Sequence, residues 1–425
     1  MALQRGLLQG QTAQSKVNTG IFSLSTKSLV TLFALLGLLL LVLGYAAGSW
    51  LNVCWPLSAA LIRRGSLVPL GFGLILVLCA SPIPRRAMPS IFFVGWLILC
   101  ELVKEEADYR LPAVIIGASA SILVLSLSSI SWVSGFIRSI PALVCASSLF
   151  AALAILDLEL QSGGLLGRLG YRLNTELVSV GGTTTSDGML VNPNEIALPI
   201  ALSAVALFSQ DLRANGRTVR WGRQLLVAGS VVMLVLTQSR GMLLAFAMGF
   251  VAACLFGAWR WAWSLVTFLI LGVLVACLAL GINPISLDLL DRFGAQDSTL
   301  STFGDRHDIW ESSLERCIQQ PIFGQSGVSG DVRATQFSPH NALLSSAELG
   351  GLFAFMLLLW IYLQPLVVSA RYDLVSIGTA VALIVSSMSM DTLARPIFWI
   401  TYAFLLIEIN HVRRKSQPCC DRNLP

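Results

Sequence analysis

The chain has 425 residues, of which 55% are apolar or aromatic and only 12% are charged, about half the charge of an ordinary soluble protein. That composition excludes a soluble enzyme, a disulfide-rich secreted domain, a collagen and a disordered tail protein. A net charge of +5 is informative only once it is sorted by membrane side.

In chain order, apolar runs near the length needed to cross a bilayer fall at 29–47, 66–81, 88–103, 111–130, 138–157, 192–209, 224–239, 241–258, 261–281, 342–366, 374–390 and 396–410. The runs are continuously apolar and lack a period of two, so a transmembrane β-barrel is excluded. Helices alone satisfy the backbone polar groups of such runs in lipid. The expected fold class is therefore an all-α polytopic membrane protein of about 12 transmembrane helices. Residues 1–28 form an N-terminal tail without a cleavable signal, 29–410 a single transmembrane domain, and 411–425 a C-terminal tail. An apolar stretch, 48–62, precedes Arg63 and Arg64; it reads either as a short extra helix or as an interfacial one.

Orientation follows from the arginines. Residues 211–223 hold Arg213, Arg217, Arg220 and Arg223 in a short connection, the strongest cytoplasmic signal of the chain. Alternating outward from it leaves both termini on the same side, with 16 of the 28 Lys and Arg but only 4 of the 23 Asp and Glu. The expectation is a multi-pass protein of the bacterial inner membrane, with both termini cytoplasmic. The basic excess is thus used for topology, and no nucleic-acid partner is expected.

Nine cysteines form no disulfide framework. Six of them, Cys54, Cys79, Cys100, Cys145, Cys254 and Cys277, lie in apolar runs and read as small buried hydrophobes. With His307, His340 and His411 as the only histidines and no Cys/His pair at ligand spacing, neither a metal site nor a cofactor is expected.

Two connections on the outer side are long, about 158–191 and 282–341, the second preceding the third-last helix. The first is rich in Gly, Thr and Ser and runs into Asn192-Pro193-Asn194-Glu195, a helix start. The second places Ile309, Trp310, Leu314 and Cys317 at helical spacing, which predicts a short helix lying on the membrane surface. Arg240 stands in a tight turn between two apolar runs, where it reads either as a snorkelling helix-end arginine or as a cavity arginine for an anion. Arg306 lies between Asp305 and His307, so pairing with Asp305 or Asp308 is its alternative role; Arg316 and Arg333 read as solvated charges. His340 and Asn341 open the 342–366 run, where Asn341 alone suffices as a helix cap. Glu348 follows within two turns and is a membrane-embedded carboxylate, a functional candidate by default.

Taken together, Asn192-Pro193-Asn194, Ser239-Arg240-Gly241, Arg306 with Trp310, Pro321-Ile322-Phe323-Gly324, and His340-Asn341 with Glu348-Leu349-Gly350 resemble the O-antigen ligase and polymerase superfamily. Each piece is weak alone, and the specificity lies in their order and in the long outer connection. One departure is that Thr184, Thr185 and Ser186 stand where members often carry an arginine, leaving Arg168 or Arg172 to substitute. The resemblance implies transfer of a glycan from undecaprenyl diphosphate to an acceptor hydroxyl, the acceptor being a lipid or glycan, at the periplasmic face among membrane lipids.

The chemistry suits the residues. A leaving diphosphate gains charge that guanidinium forks stabilise bidentately, and Arg240 and Arg306 are the available forks. A neutral imidazole is suited to accept the acceptor proton, which singles out His340. Attack opposite the diphosphate inverts the anomeric centre. Asn194, Asn341, Glu348, Arg168 and Arg172 are the expected substrate contacts. Ligation of a finished glycan is preferred over repeat-unit polymerisation, since polymerisation needs two lipid diphosphates and hence two clamps. A lipid-linked glycan flippase is the competing class; it would favour polar residues through the helix centres and paired halves, whereas the polar residues here gather at one face.

Overall fold

The computed structural model describes residues 26–46, 83–104, 110–128, 130–161, 193–213, 217–237, 239–256, 309–325 and 341–416, and among them every regular element is helical. The helices are α1 (Thr26–Ala46), α2 (Met88–Val103), α3 (Leu111–Leu127), α4 (Ser131–Gln161), α5 (Pro193–Arg213), α6 (Arg217–Thr237) and α7 (Arg240–Phe256). After α8 (309–319) come α9 (Ala342–Tyr372), α10 (Ile377–Ser389) and α11 (Pro396–Ser416). Four segments, Arg85–Val103, Val133–Asp157, Pro193–Arg213 and Ala342–Tyr372, are long and apolar enough to cross a membrane. Shorter apolar helices accompany them, and the result is an α-helical polytopic membrane protein. The expected runs 66–81 and 261–281 lie outside the described residues.

Helix starts follow local chemistry. Proline opens α5 and α11 and stands in the first turn of α2 and α3, where its missing N–H would have had no intrahelical partner anyway. The connection 211–223 proves mostly helical: α5 runs to Arg213 and α6 starts at Arg217, so Arg217, Arg220 and Arg223 lie on a helix and only three residues separate the two elements.

Two helices form the centre. In α5 every residue from Ile196 to Asp211 is buried, as expected of a helix that is apolar all round. Helix α11 fills the core with Phe398, Trp399 and Tyr402. Around them, packing depends on small residues, since lipid supplies no hydrophobic drive between helices. A Cβ on Gly117 in α3 would lie 2.3 Å from the Trp399 ring. Where α7 crosses α10, a Cβ on Gly249 would lie 2.7 Å from the Gly378 carbonyl, and one on Gly378 2.5 Å from the Gly249 carbonyl. Gly249→Leu is therefore expected to destabilise the bundle by about 1–3 kcal/mol through overpacking, read as a lowered thermal midpoint of the purified protein in detergent.

Helix α9 departs from the continuous helix expected over 342–366. Gly350 (φ −150°) and Gly351 (φ 68°) are non-helical, and the helix bends there. The backbone carbonyls freed by the break are satisfied: Lys104 Nζ donates to Leu349 O at 2.7 Å and Trp96 Nε1 to Gly350 O at 2.7 Å. Non-helical backbone at such depth is stable only when buried in protein in this way.

Charged residues gather at both ends of the bundle. At the end where α5 stops, Glu408 is 1% exposed and accepts from Arg138 Nε at 2.8 Å and Arg213 Nη1 at 2.9 Å. Arg213 also pairs with Asp373 at 3.0 Å. The opposite end, where α5, α7, α9 and α11 begin, carries the motifs.

Candidate functional site

Helix α9 begins at Asn341, whose side-chain oxygen accepts from Leu343 N at 3.0 Å and Leu344 N at 3.4 Å. Those bonds satisfy two of the helix's orphan donors, so Asn341 is a cap in the full sense. Its amide nitrogen reaches Met388 Sδ at 3.9 Å on α10. Nearby, Ser345 Oγ donates to Asp391 Oδ2 at 2.9 Å, tying the first turn of α9 to the link between α10 and α11.

The starts of α5 and α7 meet at the same end. Ser239 Oγ donates to Asn194 Oδ1 at 2.6 Å, which joins Asn192-Pro193-Asn194 to Ser239-Arg240-Gly241. Arg240 is half-buried and opens α7. Gly241 permits this arrangement, because a Cβ there would sit 2.5 Å from the Ser389 side chain. Arg395, just before α11, pairs with Glu195 at 2.5 Å. Asn194 is thus tied to the start of α7, and Gly241 and Asn341 both approach the end of α10, at Ser389 and Met388. Sequence distances of 46 to 147 residues separate Asn194, Arg240 and Asn341.

Glu348 belongs to a second cluster. It is 3% exposed and accepts from Arg110 Nη1 at 3.0 Å and from Arg316 Nη2 at 2.5 Å. The expectation that Arg316 is a solvated charge is overturned: it turns inward from α8 to a buried carboxylate. Glu348, expected as a substrate contact, has its two carboxylate oxygens engaged by two arginines. Burial and the neighbouring Glu348 charge push the Cys317 thiol up to about 11, so it is no ready nucleophile.

The remaining motif piece docks beside this cluster. Leu352 N donates to Pro321 O at 2.7 Å, so the 321–324 turn lies in the notch of the α9 bend. The fit is mutual. Gly324 (φ +73°) has the Glu348 carbonyl 2.2 Å from where a Cβ would be, and Gly351 has the Ile322 carbonyl 2.2 Å away. Both positions combine a left-handed conformation with a close backbone approach, which glycine alone tolerates. Trp96 stacks on Phe323 with centroids 5.9 Å apart, joining α2 to the same contact.

Of the candidates, His340, Arg306, Arg168 and Arg172 lie outside the described residues. Arg110, Lys104, Glu195, Asp391 and Arg395 were not singled out from the sequence. A signal for two of them was present: Arg110 and Arg395, like Arg240, immediately precede an apolar run. Among the described residues no three His, Cys, Asp or Glu side chains converge as a metal site.

Residues 225–348, from within α6 to Glu348, match the family model described as O-antigen ligase. No curated protein matches the chain. The matched stretch takes in Ser239-Arg240-Gly241, the 321–324 turn and the start of α9, and over that stretch the chain is similar to the O-antigen ligase family.

Proposed function

We propose that the protein transfers a glycan from undecaprenyl diphosphate to a hydroxyl of a lipid or glycan acceptor, with inversion and without a metal, in the manner of an O-antigen ligase. The observation that carries this reading is the placement of Asn194, Ser239 and Arg240 at the same end of the bundle as the Asn341 cap, with Ser239, Arg240 and Asn341 inside the stretch that matches the O-antigen ligase family. In this reading Arg240 and Arg306 hold the diphosphate, neutralising the charge that builds on it as the glycosidic bond breaks. His340, next to the capped Asn341, takes the proton from the acceptor oxygen as that oxygen attacks the anomeric carbon. Asn194 helps to orient the donor, and Arg168 and Arg172 belong to the first long connection on the same side. That side is the periplasmic face of the inner membrane, from the arginine distribution.

Glu348 is reassigned within this reading from a substrate contact to a buried ion-pair partner. Removal of the protein from its host is expected to leave long glycans accumulated on undecaprenyl diphosphate, read by the lengths of the lipid-linked products. Accumulation of single repeat units would instead mean a polymerase and assign Arg168 and Arg172 to a second lipid. Unchanged covalent linkage with altered leaflet distribution would mean a flippase.

Arg240→Lys keeps the charge and loses the fork. Since hydrogen bonds to charged groups contribute about 1.5–3 kcal/mol each, transfer is expected to fall roughly tenfold to a hundredfold in reconstituted vesicles. Arg414, exposed at the opposite end, serves as the control, and its Ala variant is expected to keep full activity.

A further inference from the structure

Helix α8 has three distinct sides. Ser313 is fully buried, and Arg316 and Cys317 turn the same way, toward the bundle. A second side is apolar and outward: Trp310, Leu314 (53% exposed) and Ile318 (69% exposed), extended by Ile322 in the following turn. The third is polar and also exposed, with Glu311, Glu315 and Gln319. At 3.6 residues per turn, the 310/314/318 and 311/315/319 rows lie about 100° apart on the outer surface.

In water this arrangement would be inverted, because the charged side chain faces in while the bulkiest apolar ones face out, each leaving unburied about 1.5–3 kcal/mol of transfer free energy. At a bilayer surface it is the expected pattern, with one side on protein, one in acyl chains and one in water. The apolar row leads through the 321–324 turn to the outward-facing Leu352 and Phe353 of α9. The surface is therefore continuous with one that faces lipid.

We propose that Arg316 is a positioning residue: its bridge to Glu348 fixes the roll of α8, so that Trp310, Leu314 and Ile318 enter the acyl layer while Glu311 and Glu315 remain in water. The geometry supports a fixed roll because Arg316 reaches the buried carboxylate from the side of α8 opposite the apolar 310/314/318 row. Arg110 holds the other oxygen of Glu348 from α3, so the anchor is itself immobilised by the bundle. The 321–324 turn pins the end of α8 on α9, and the bridge holds the middle of the helix. This inference stands on the membrane placement and not on the proposed transfer reaction.

Nitroxide labels at Leu314→Cys and Glu315→Cys, in the full chain with its native cysteines replaced, test it in vesicles of phosphatidylethanolamine and phosphatidylglycerol. The label at 314 is expected to be accessible to oxygen and protected from a water-soluble nickel chelate, with the opposite order at 315. In Arg316→Gln the contrast between the two positions should be lost, and in Arg316→Lys, which keeps the charge, it should persist. A label at Met356, outward-facing on α9, should keep its preference for oxygen in every variant and so reports that the bundle is intact. Equal nickel accessibility at 314 and 315 in the unsubstituted background would overturn the lipid placement. An unchanged contrast in Arg316→Gln, or its loss in Arg316→Lys with Met356 unaltered, would overturn the role of Arg316.

Discussion

In His340→Ala, glycan transfer is expected to fall by about two to four orders of magnitude, the usual contribution of a positioned general base, while the lipid-linked donor still binds. The next residue, Asn341, is pinned by two hydrogen bonds into α9. His307 is the comparison. It stands between Arg306 and Asp308, 34 residues before the Asn341 cap of α9. His307→Ala is therefore expected to retain substantial activity. Single-turnover assays in vesicles, with donor binding measured separately, distinguish the two, and the reverse ranking would refute the assignment.

Glu348→Ala is expected to destabilise the fold by about 3–5 kcal/mol, the cost of removing one partner from a buried ion pair. Two guanidinium groups, on Arg110 and Arg316, would lose their shared acceptor together. The cavity left by the side chain adds to this, and the seat of the 321–324 turn on α9 loosens with it. Glu348→Gln should fall between, since an amide oxygen accepts from only one arginine while its nitrogen opposes the other. Thermal unfolding of purified protein reads both, and a midpoint unchanged in Glu348→Ala would show that the bridge contributes nothing to the fold.

How far these features were legible from sequence depended on the length scale of the cause. The runs 88–103, 111–130 and 396–410 gave helices within a few residues at their starts, because apolar length and a first-turn proline are local properties. The break in α9 is local too, and Gly350-Gly351 was a visible warning, yet a glycine pair within an apolar run is compatible with a straight helix. What decides the bend is the 321–324 turn and the donors from Lys104 and Trp96, which arrive from distant sequence. The same holds for Arg316. A single arginine on an amphipathic helix reads as solvated until the partner is known, and its partner lies 32 residues away on another element. Asn194 was identified by motif and Arg240 also by its place between two apolar runs; that Ser239 links them is a tertiary fact.

The buried Glu408 has a consequence for how the chain is built. Its partners Arg138 and Arg213 lie on α4 and α5, which leave the ribosome long before α11. A lone carboxylate is expensive in hydrocarbon, but by the time α11 is synthesised both cations are already placed to receive it. Helix α11 is therefore a keystone, whose carboxylate finds its partners only once α4 and α5 are in place. Because α11 also supplies Trp399 against α3, and Arg395 at its start pairs with Glu195 of α5, the motif-bearing end of the bundle closes in the same late step. A nascent chain that stops before residue 396 would hold Arg138 and Arg213 without the Glu408 carboxylate they pair with, a recognisable mark of an unfinished molecule for membrane quality control.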